Sequence, residues 1–371
     1  MAGNGTGAGT HTANDAGEHQ DRGPRPNPSL SSIQSQSSTQ SLSLSSTQSL
    51  SSTRSESQGQ GGTQGTDRVL MVRPASFGFN ADAAATNRLQ QRPQVGAQDV
   101  QALALAEFEA LRAALVAEGV RVCVADDTPA PPKPDAVFPN NWVSFHADGT
   151  VVLYPLQPPS RRPERREAIV EQACRELGWQ PRRRVDLSHH ERDGRFLEGT
   201  GSLVLDPRGR RAYACLSPRT DLALLHEWCG LLDYEPVAIR ATDAGGVPWY
   251  HTNVMLCLGT AFVVVAAESI EPAERERVLA SLAAGGREII AIDRAAVGAF
   301  AGNMLELAAW DEALGDVRVL VMSARARAAL SPDAWQRLSA CVDSVLAVPV
   351  PTIEDVGGGG VRCMLAEVGA G

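Results

Sequence analysis

Lysine is almost absent from this chain of 371 residues. Its single lysine, Lys133, lies among prolines; this excludes a Gly-Lys-Ser/Thr phosphate-binding loop and disfavours a Schiff-base lysine. Basic residues number 34 and acidic residues 43, which gives a net charge of −9. Because nucleic acids and anionic membranes are bound by basic surfaces, this balance argues against both kinds of partner.

Paired cysteines and common hydrolase motifs are also missing. The seven cysteines contain no C-x-x-C pair, so neither a zinc ribbon nor a disulfide scaffold is predicted, and a reducing, cytoplasmic location fits best. No H-E-x-x-H or Gly-x-Ser-x-Gly sequence occurs, which leaves a zinc hydrolase and a serine hydrolase without support. The N-terminus has no basic start followed by an apolar run, and the uncharged stretch 244–267 is interrupted by Pro248 and Gly259. Neither a secretory signal nor a membrane span is therefore predicted.

Composition divides the chain into two parts. Serine occupies 15 of the 29 positions from Ser29 to Ser57, and residues 1–66 contain too few apolar side chains to offset the entropy cost of ordering them. We expect residues 1–66 to be a disordered tail; a targeting peptide is the alternative, although arginines are sparse there. Residues 67–371 are long enough to bury a large core and are expected to form one folded domain.

Apolar runs typical of strands alternate with amphipathic helical patterns from residue 67 onward, which predicts an α/β fold. The strand candidates include 69–72, 151–154, 202–205 and 262–265, and the helix candidates are 99–118, 163–177, 220–230, 272–283 and 333–341. Units of the form β-β-α-β can be aligned on five positions, which are Asn141, Glu198, His251, Asn303 and Cys363.

These five positions are spaced by 57, 53, 52 and 60 residues. A near-constant period above 50 residues predicts a closed ring of repeats, in which the first strand pairs with a last strand at Val361–Leu365. In a closed ring, equivalent positions converge on the central axis although they lie far apart in sequence. The alternative is that five similar units occur by chance in an α/β protein.

Three of the aligned residues could carry chemistry. Cys363 follows four glycines, which permit close approach of a ligand, and it is a candidate nucleophile; a buried structural thiol is the alternative. His251 could supply the base or the imidazolium that a reactive thiol needs. Glu198 could hold His251 protonated or accept hydrogen bonds from a substrate nitrogen, unless it is a surface turn residue. Asn303 is expected only to cap a loop.

Five segments resemble the amidinotransferase and deiminase superfamily, and they occur in the expected order. The segments are Val72-Arg73-Pro74, Phe138-Pro139-Asn140-Asn141-Trp142, Leu197-Glu198-Gly199, His251-Thr252-Asn253 and Gly360-Val361-Arg362-Cys363-Met364. The resemblance is closest to the citrulline-utilisation hydrolase type of arginine-deiminase-related proteins and extends over about residues 68–368. It implies the pentein fold, a five-bladed β/α propeller, for residues 67–371.

The resemblance implies a hydrolase of non-peptide carbon–nitrogen bonds that needs neither a metal nor an organic cofactor. Cys363 would attack the central carbon of a guanidino or ureido group and form a covalent thiouronium-type intermediate. His251 would protonate the leaving nitrogen and then activate water, while Glu198 would orient His251 and bind a substrate nitrogen. The expected partner is a small arginine- or citrulline-like molecule, and a homodimer is left open.

Two positions depart from the pattern of arginine deiminases, which have aspartates where this chain has Asn141 and Asn253. Neutral amides remove two negative charges from the pocket and can hold a neutral ureido group through donor and acceptor together. The substrate is therefore expected to be neutral at its reacting end, unless Glu198 alone supplies the counter-charge. A shift of one residue in the alignment would place Asn140 rather than Asn141 in the pocket.

Asn80 and Arg73 are further candidates for contact with a substrate. Asn80, in the segment Phe77-Gly78-Phe79-Asn80, either contacts the substrate from a loop over the site or forms a turn. Arg73 is a candidate partner for a substrate carboxylate, whereas Arg362 is set aside because strand alternation would point it away from Cys363.

Two other functions are compatible with the same motifs. Amidino transfer to an acceptor amine would differ only in what resolves the intermediate. A non-catalytic binding module of the same fold is the second alternative, and the joint presence of Cys363, His251 and Glu198 argues against it.

Overall fold

Strands and helices alternate along the chain in the computed structural model, which describes residues 65–370. The described strands are β1 (Arg68–Arg73), β2 (Arg121–Asp126), β3 (Val143–His146), β4 (Thr150–Leu153), β5 (Arg183–Asp186), β6 (Leu203–Asp206), β7 (Arg211–Cys215), β8 (Glu235–Ile239), β9 (Leu256–Leu258), β10 (Phe262–Val265), β11 (Glu288–Ala291), β12 (Leu305–Asp311), β13 (Gly315–Ser323), β14 (Ser344–Val348) and β15 (Ala366–Ala370). The described α-helices are α1 (Ala81–Ala84), α2 (Ala97–Ala117), α3 (Glu167–Glu176), α4 (Gly199–Ser202), α5 (Leu222–Leu232), α6 (Pro272–Ala283), α7 (Arg294–Gly298), α8 (Ala324–Ala329) and α9 (Pro332–Ser339).

The helices follow local sequence signals. Buried residues of α2 recur at helical spacing, namely Val100, Ala104, Phe108, Leu111 and Leu115. Several helices begin at a side chain that accepts a hydrogen bond from the first turn: Asp221 for α5, Asp293 for α7, Ser323 for α8 and Ser331 for α9. The five predicted helices correspond to α2, α3, α5, α6 and α9. Within residues 65–370, no helix combines the length and apolar character required to cross a bilayer.

The sheets are built from a repeated three-stranded unit. In each unit the first strand pairs antiparallel with the second, and the third pairs parallel with the second; this holds for β3-β4-β5, β6-β7-β8, β9-β10-β11 and β12-β13-β14. A fifth unit combines both ends of the described chain, because β15 pairs antiparallel with β1 and β1 pairs parallel with β2. β15 also pairs with β3, which joins two units into one six-stranded sheet. The result is an α/β fold with mixed sheets.

The predicted pairing of the first strand with the last is present, but the predicted position of the last strand is wrong. Val361–Met364 forms a 3-10 turn, and β15 begins only at Ala366. In that turn the backbone N–H groups of Cys363 and Leu365 donate to nearby carbonyls, at 3.1 and 3.3 Å. Residues 361–365 are all buried. A short, wholly buried apolar run does not distinguish a strand from a helical turn by its periodicity.

The predicted tail, 1–66, lies outside the described residues except for its last two positions. Thr66 is buried, its hydroxyl donates to the carbonyl of Val368 at 2.9 Å, and its own carbonyl accepts from the backbone N–H of Ala308 at 3.1 Å. The folded part therefore includes Thr66, and the predicted boundary after residue 66 is too late.

Candidate active site

Short helical turns lie directly before the first strand of four of the units. The residues at equivalent repeat positions of the sequence lie in these turns or at their start. The turns are Pro139–Asn141 before β3, α4 before β6, Thr252–Val254 before β9 and Val361–Met364 before β15. Glu198 and His251 are the residues from which two of these turns start. Asn303 also precedes the first strand of its unit, β12, but it lies in a loop and not in a helical turn. Equivalent positions in sequence thus have equivalent positions in the fold.

Two glycines allow neighbouring turns to approach closely. Gly199 has φ of +50°, and a Cβ there would lie 2.1 Å from the carbonyl oxygen of Asn140. A Cβ on Gly201 would lie 2.5 Å from Nδ2 of Asn141 and 2.7 Å from Nδ1 of His251. Since side chains cannot be accommodated at these distances, only glycine lets α4 pack between the turns that carry Asn141 and His251.

Glu198 and His251 form a buried hydrogen-bonded pair. Oε2 of Glu198 lies 2.8 Å from Nε2 of His251 and accepts from Nη1 of Arg219 at 3.2 Å, while Oε1 accepts from the backbone N–H of Gln157 at 2.9 Å. Burial alone would raise the pKa of Glu198, but Arg219 and the His251 hydrogen bond lower it to about 2. Burial lowers the pKa of His251 to about 4 although Glu198 opposes it.

At neutral pH this pair is a carboxylate and a neutral imidazole. The carboxylate can only accept, so the proton of the neutral ring is on Nε2 and the lone pair is on Nδ1. Of the two roles considered for Glu198, orientation of His251 is the one that the geometry shows. A protonated His251 in the free protein is not favoured, because burial outweighs the attraction of Glu198.

The thiol of Cys363 is held by two asparagines. Nδ2 of Asn303 donates to the sulfur at 3.3 Å and also to the carbonyl of Asn253 at 2.9 Å. The thiol donates to Oδ1 of Asn253 at 3.8 Å. Burial raises the pKa of Cys363, and the hydrogen bond from Asn303 opposes this rise. Asn303 was expected to cap a loop; instead its side chain contacts the candidate nucleophile.

Cys363 and His251 line one cavity, which encloses about 260 Å³ of empty space including its mouth. We call it the Cys363 cavity. Its lining also includes Asp135, Asn141, Arg161, Arg219 and Tyr250. Glu198 is fully buried behind His251 and Arg219 and does not line the cavity. The predicted contact between Glu198 and a substrate nitrogen stays a prediction, and Asp135 is the carboxyl group that lines the cavity.

The buried charges around the Cys363 cavity are unequal in number. Arg161 contacts Glu164 at 2.8 Å and Asp135 at 3.6 Å, and Arg219 contacts Glu198. Three carboxyl groups thus face two guanidinium groups. Burial raises the pKa of Asp135, and it raises that of Glu164 to about 7, although Arg161 opposes both shifts. A raised pKa means that these carboxyl groups hold their protons more tightly than usual. A cation bound in the cavity would supply positive charge in place of those protons.

Asn141 and Asn253 both lie at the site, in different ways. Asn141 lines the Cys363 cavity; its Oδ1 accepts from Nη1 of Arg161 at 2.7 Å, and its Nδ2 donates to Oδ1 of Asn140 at 3.0 Å. Asn140 itself does not line the cavity, so Asn141 is the residue of the pair that is placed to meet a ligand. Asn253 contacts the sulfur and donates to the carbonyl of Thr200 at 3.1 Å.

Asn80 acts as a helix cap rather than a cavity residue. Its Oδ1 accepts from the backbone N–H groups of Asp82 and Ala83 and from the hydroxyl of Ser160. Its Nδ2 donates to Asp135 at 2.8 Å. These hydrogen bonds agree with the alternative, a turn-forming role, which positions α1 and Asp135; the substrate contact of Asn80 stays a prediction.

Arg73, the candidate partner of a substrate carboxylate, and Arg362, which was set aside, both pair with other residues. Arg73 pairs with Glu109 at 2.8 Å and with Asp126, away from the cavity. Arg362 is buried, donates to the carbonyl of Leu365 at 2.8 Å and pairs with Glu367 at 3.0 Å. It does so from a 3-10 turn, so the argument from strand alternation does not apply to it.

The sequence did not predict that Arg161 and Arg219 line the Cys363 cavity. Arg161 belongs to a run with four further arginines nearby, at 162, 165, 166 and 175, and nothing in the sequence distinguishes it. Asp135 did carry a signal, since it is a charged residue directly before the apolar segment Ala136-Val137-Phe138.

One group of described residues has the composition of a metal site. Ligand atoms of His189, His190 and Glu227 lie within 4.8 Å of one another. Nε2 of His190 lies 3.1 Å from the carboxylate of Glu227. None of the three lines the Cys363 cavity, so this group has no part in the chemistry of that site.

Comparison with known families agrees with the motifs. Residues 73–370 match the family described as N,N-dimethylarginine dimethylhydrolase, eukaryotic. The chain belongs to this family. The dimethylarginine dimethylhydrolase family lies in the pentein and amidinotransferase superfamily, so the predicted superfamily is confirmed. The chain is accordingly a hydrolase of non-peptide carbon–nitrogen bonds.

Solved structures share the fold of this dimethylarginine dimethylhydrolase family member. The N-terminal domain of ArgZ, an arginine dihydrolase from the ornithine–ammonia cycle in cyanobacteria, has a TM-score of 0.62 and 19% identity, and the match covers 81% of this chain and 98% of that domain. Unliganded AgrE has a TM-score of 0.61 and 20% identity, with 81% and 39% covered. A dimethylarginine dimethylaminohydrolase adduct with 4-chloro-2-hydroxymethylpyridine has a TM-score of 0.52 and 18% identity, with 81% and 98% covered. A search of curated protein sequences found no match.

Proposed function

We propose that this family member hydrolyses the guanidino or ureido carbon–nitrogen bond of an arginine- or citrulline-like small molecule, with Cys363 as the nucleophile. The observation that carries the proposal is that Cys363 and His251 line one buried cavity while Glu198 holds His251 from behind. Nucleophile, base and orienting carboxylate are the parts that covalent catalysis of this type requires.

In the first step the sulfur attacks the central carbon and a carbon–nitrogen bond breaks. The thiol proton passes to the leaving nitrogen through His251, whose Nδ1 carries the free lone pair, and ammonia or an amine departs. For a guanidinium substrate this leaves a positively charged thiouronium on Cys363. In the second step His251 takes a proton from water, the oxygen adds to the carbon, and the sulfur leaves as the thiol. The products are a ureido compound, an amine and one proton.

A cationic substrate would assist the first step. Burial raises the pKa of Cys363, so the free protein holds a thiol rather than a thiolate. A guanidinium in the cavity would favour the thiolate by charge attraction, and Asp135 would hold its nitrogen atoms. These two effects favour a guanidino substrate.

A ureido substrate is the second candidate, favoured by the amides at Asn141 and Asn253. A ureido group is also what hydrolysis of a guanidino group produces, so one site could act on both in succession. Relatives of similar fold include proteins named as arginine dihydrolases. For this chain, we propose the guanidino reaction first and the ureido reaction as a slower second one.

A substrate panel tests the proposal. Arginine, N,N-dimethylarginine, agmatine, succinylarginine and citrulline would be incubated with the protein, and ammonia, dimethylamine and the carbon products would be measured. We expect turnover of at least one guanidino compound, and Cys363→Ser should abolish it. More than one ammonia per arginine would indicate that the ureido product is also hydrolysed. Citrulline turnover far above that of every guanidino compound would overturn the order proposed here.

Amidino transfer is separated from hydrolysis by an acceptor amine. Adding glycine or ornithine to the same reactions should not change the products if water resolves the intermediate. A new guanidino product formed from the added amine would identify a transferase. A binding module would release no product from any compound.

We infer that the five three-stranded units surround the Cys363 cavity as the blades of a propeller. The inference is supported by contacts that run from unit to unit: α4 touches the turns of Asn141 and His251, Asn303 touches Asn253 and Cys363, and the turn of Cys363 touches that of Asn141. A crystal structure that places the five units around Cys363 would agree; an open arrangement would not. The predicted homodimer can be tested by analytical ultracentrifugation.

A further inference from the structure

A second cavity is lined by Asn253, the residue that also contacts the sulfur of Cys363. It encloses about 620 Å³ of empty space including its mouth, and it is lined by Thr200, Asn253, Glu306, Arg362 and Glu367, together with apolar residues of β6, β9 and β12. We call it the Glu306 cavity. The proposed reaction does not use it, and Cys363 does not line it.

Asn253 contacts both Cys363 and the Glu306 cavity. Its Oδ1 contacts the sulfur of Cys363 at 3.8 Å, and its Nδ2 donates to the carbonyl of Thr200 at 3.1 Å. Both Asn253 and Thr200 line the Glu306 cavity. Asn253 therefore contacts the candidate nucleophile directly and is also part of the lining of the second cavity.

The Glu306 cavity has more carboxyl groups than guanidinium groups, and burial raises the pKa of both Glu306 and Glu367. Glu306 is 3% exposed; its Oε1 accepts from the backbone N–H and the hydroxyl of Thr260, while its Oε2 is buried without a partner. Glu367 pairs with Arg362 at 3.0 Å. Among the lining residues, two carboxyl groups thus face one guanidinium group. A buried carboxylate oxygen without a donor is costly, and a small cation that donates hydrogen bonds would satisfy it.

The proposed function produces such a cation next to Asn253. Hydrolysis of a guanidinium releases neutral ammonia or a neutral amine in the first step and one proton in the second, and the ammonium ion forms when the released nitrogen takes up that proton. In the first step the nitrogen leaves while the rest of the substrate still occupies the Cys363 cavity on the covalent intermediate. Ammonia or amine that stayed in that cavity could attack the intermediate again, so a binding site outside it would favour the forward reaction.

We propose that the Glu306 cavity binds the ammonium or alkylammonium product and is its exit from the active site past Asn253. The proposal rests on the proposed function, because the ion is the leaving group of that reaction. Glu306 accepts a hydrogen bond from the ion through Oε2, and no covalent bond forms or breaks in this step. The ligand class is a small cation with N–H donors.

Binding is tested without turnover by a crystal of the protein soaked in rubidium chloride, since rubidium resembles ammonium in charge and size and scatters anomalously. We expect an anomalous peak within contact distance of Oε2 of Glu306, and its loss in Glu306→Gln. That variant keeps the acceptor for Thr260 and the shape of the side chain. No peak in the cavity would overturn the proposal even if the enzyme is fully active.

The role in turnover is tested by product inhibition. Ammonium chloride, compared with potassium chloride at equal ionic strength, should inhibit non-competitively with respect to the guanidino substrate, because the ion and the substrate occupy different cavities. Glu306→Gln should raise the inhibition constant at least fivefold. Glu235→Gln is the control. The side chain of this glutamate is 65% exposed, and its substitution should leave the inhibition constant unchanged. Competitive inhibition, or an inhibition constant that Glu306→Gln leaves unchanged, would contradict the exit. An inactive wild-type protein that still shows the rubidium peak would count against the proposed function alone.

Discussion

Nε2 of His251 lies 2.8 Å from Oε2 of Glu198, and both side chains are almost completely buried. The same carboxylate oxygen contacts Arg219 at 3.2 Å. One buried anion thus fixes the orientation of His251 and neutralises an arginine of the Cys363 cavity. Because both partners of Glu198 are buried, loss of its charge would affect stability as well as chemistry.

Glu198→Gln tests this relationship. The variant leaves the Arg219 charge buried with a neutral partner, and breaking such a pair typically costs about 3–5 kcal/mol of the free energy of unfolding. Turnover should fall at least 100-fold, because the imidazole loses its orientation. Urea unfolding at pH 7 and steady-state kinetics measure the two effects. If the variant equalled wild type in both stability and activity, Glu198 would neither stabilise the fold nor orient His251 for catalysis.

The stability difference should depend on pH. The pKa of Glu198 lies at about 2 in the folded protein against 4.5 for an ordinary glutamate, so its carboxylate stabilises the fold fully above pH 4.5. This contribution is lost as the pH falls through 2. The gap between wild type and Glu198→Gln should therefore narrow below pH 4.5. Glu235→Gln, at an exposed glutamate, should show little gap at any pH.

Asn303 positions the thiol of Cys363 and favours its thiolate form. Asn303→Asp should instead disfavour the thiolate. The variant keeps the shape of the side chain but replaces the donor 3.3 Å from the sulfur with a carboxylate. A hydrogen bond to a charged group contributes about 1.5–3 kcal/mol, so kcat/KM should fall about 10- to 100-fold. The alkylation profile of Cys363 should shift to higher pH as well, which loss of packing alone would not cause. An unshifted profile would refute this role.

The pH dependence of thiol alkylation reports the state of Cys363 in the free protein. Burial raises the pKa of this thiol above its usual value of 9.0, and below its pKa a thiol is neutral and slow to react. Iodoacetamide labelling, followed on the peptide that contains Cys363, should therefore keep accelerating beyond pH 9. A plateau with a midpoint below pH 8 would instead show a thiolate already paired with a protonated His251.

Asp135→Asn separates guanidino from ureido recognition. Asp135 is the carboxyl group that lines the cavity, and it would pair with a guanidinium. The variant should raise KM for the guanidino substrate about tenfold or more and change KM for a ureido substrate little. The ureido compound is the internal control for folding. A parallel rise for both substrates would mean that Asp135 serves the structure of the cavity only.

Periodicity predicted much of the architecture because it depends on local patterns that repeat. The buried face of α2 and the strand β10 are visible as spacings and runs, and the interval between Glu198 and His251 reflects one structural unit. The end of the chain was harder, since Val361–Leu365 is buried on all sides and lacks any period. Its local backbone hydrogen bonds, which decide between turn and strand, are not visible in sequence.

Only those site residues that belong to a recognisable motif could be predicted from the sequence. His251 and Cys363 are marked by their repeat positions and neighbours. The placement of Arg161 and Asp135 depends on contacts between distant segments, such as the hydrogen bond from Arg161 to Asn141. The same is true of Asn303, whose partner Cys363 is 60 residues away. Asn303 is marked by its repeat position and Asp135 by its apolar neighbours, but neither signal predicts the contact that each residue makes, and no local signal distinguishes Arg161.

The most direct test of the account is a rapid acid quench of the protein with a substrate that it turns over, followed by peptide mass mapping. We expect a substrate-derived mass on the peptide that contains Cys363, appearing and decaying with turnover, and no such mass on peptides with the other six cysteines. Cys363→Ser should show neither this adduct nor turnover. Turnover by Cys363→Ser at the wild-type rate, with no adduct in either protein, would contradict the account.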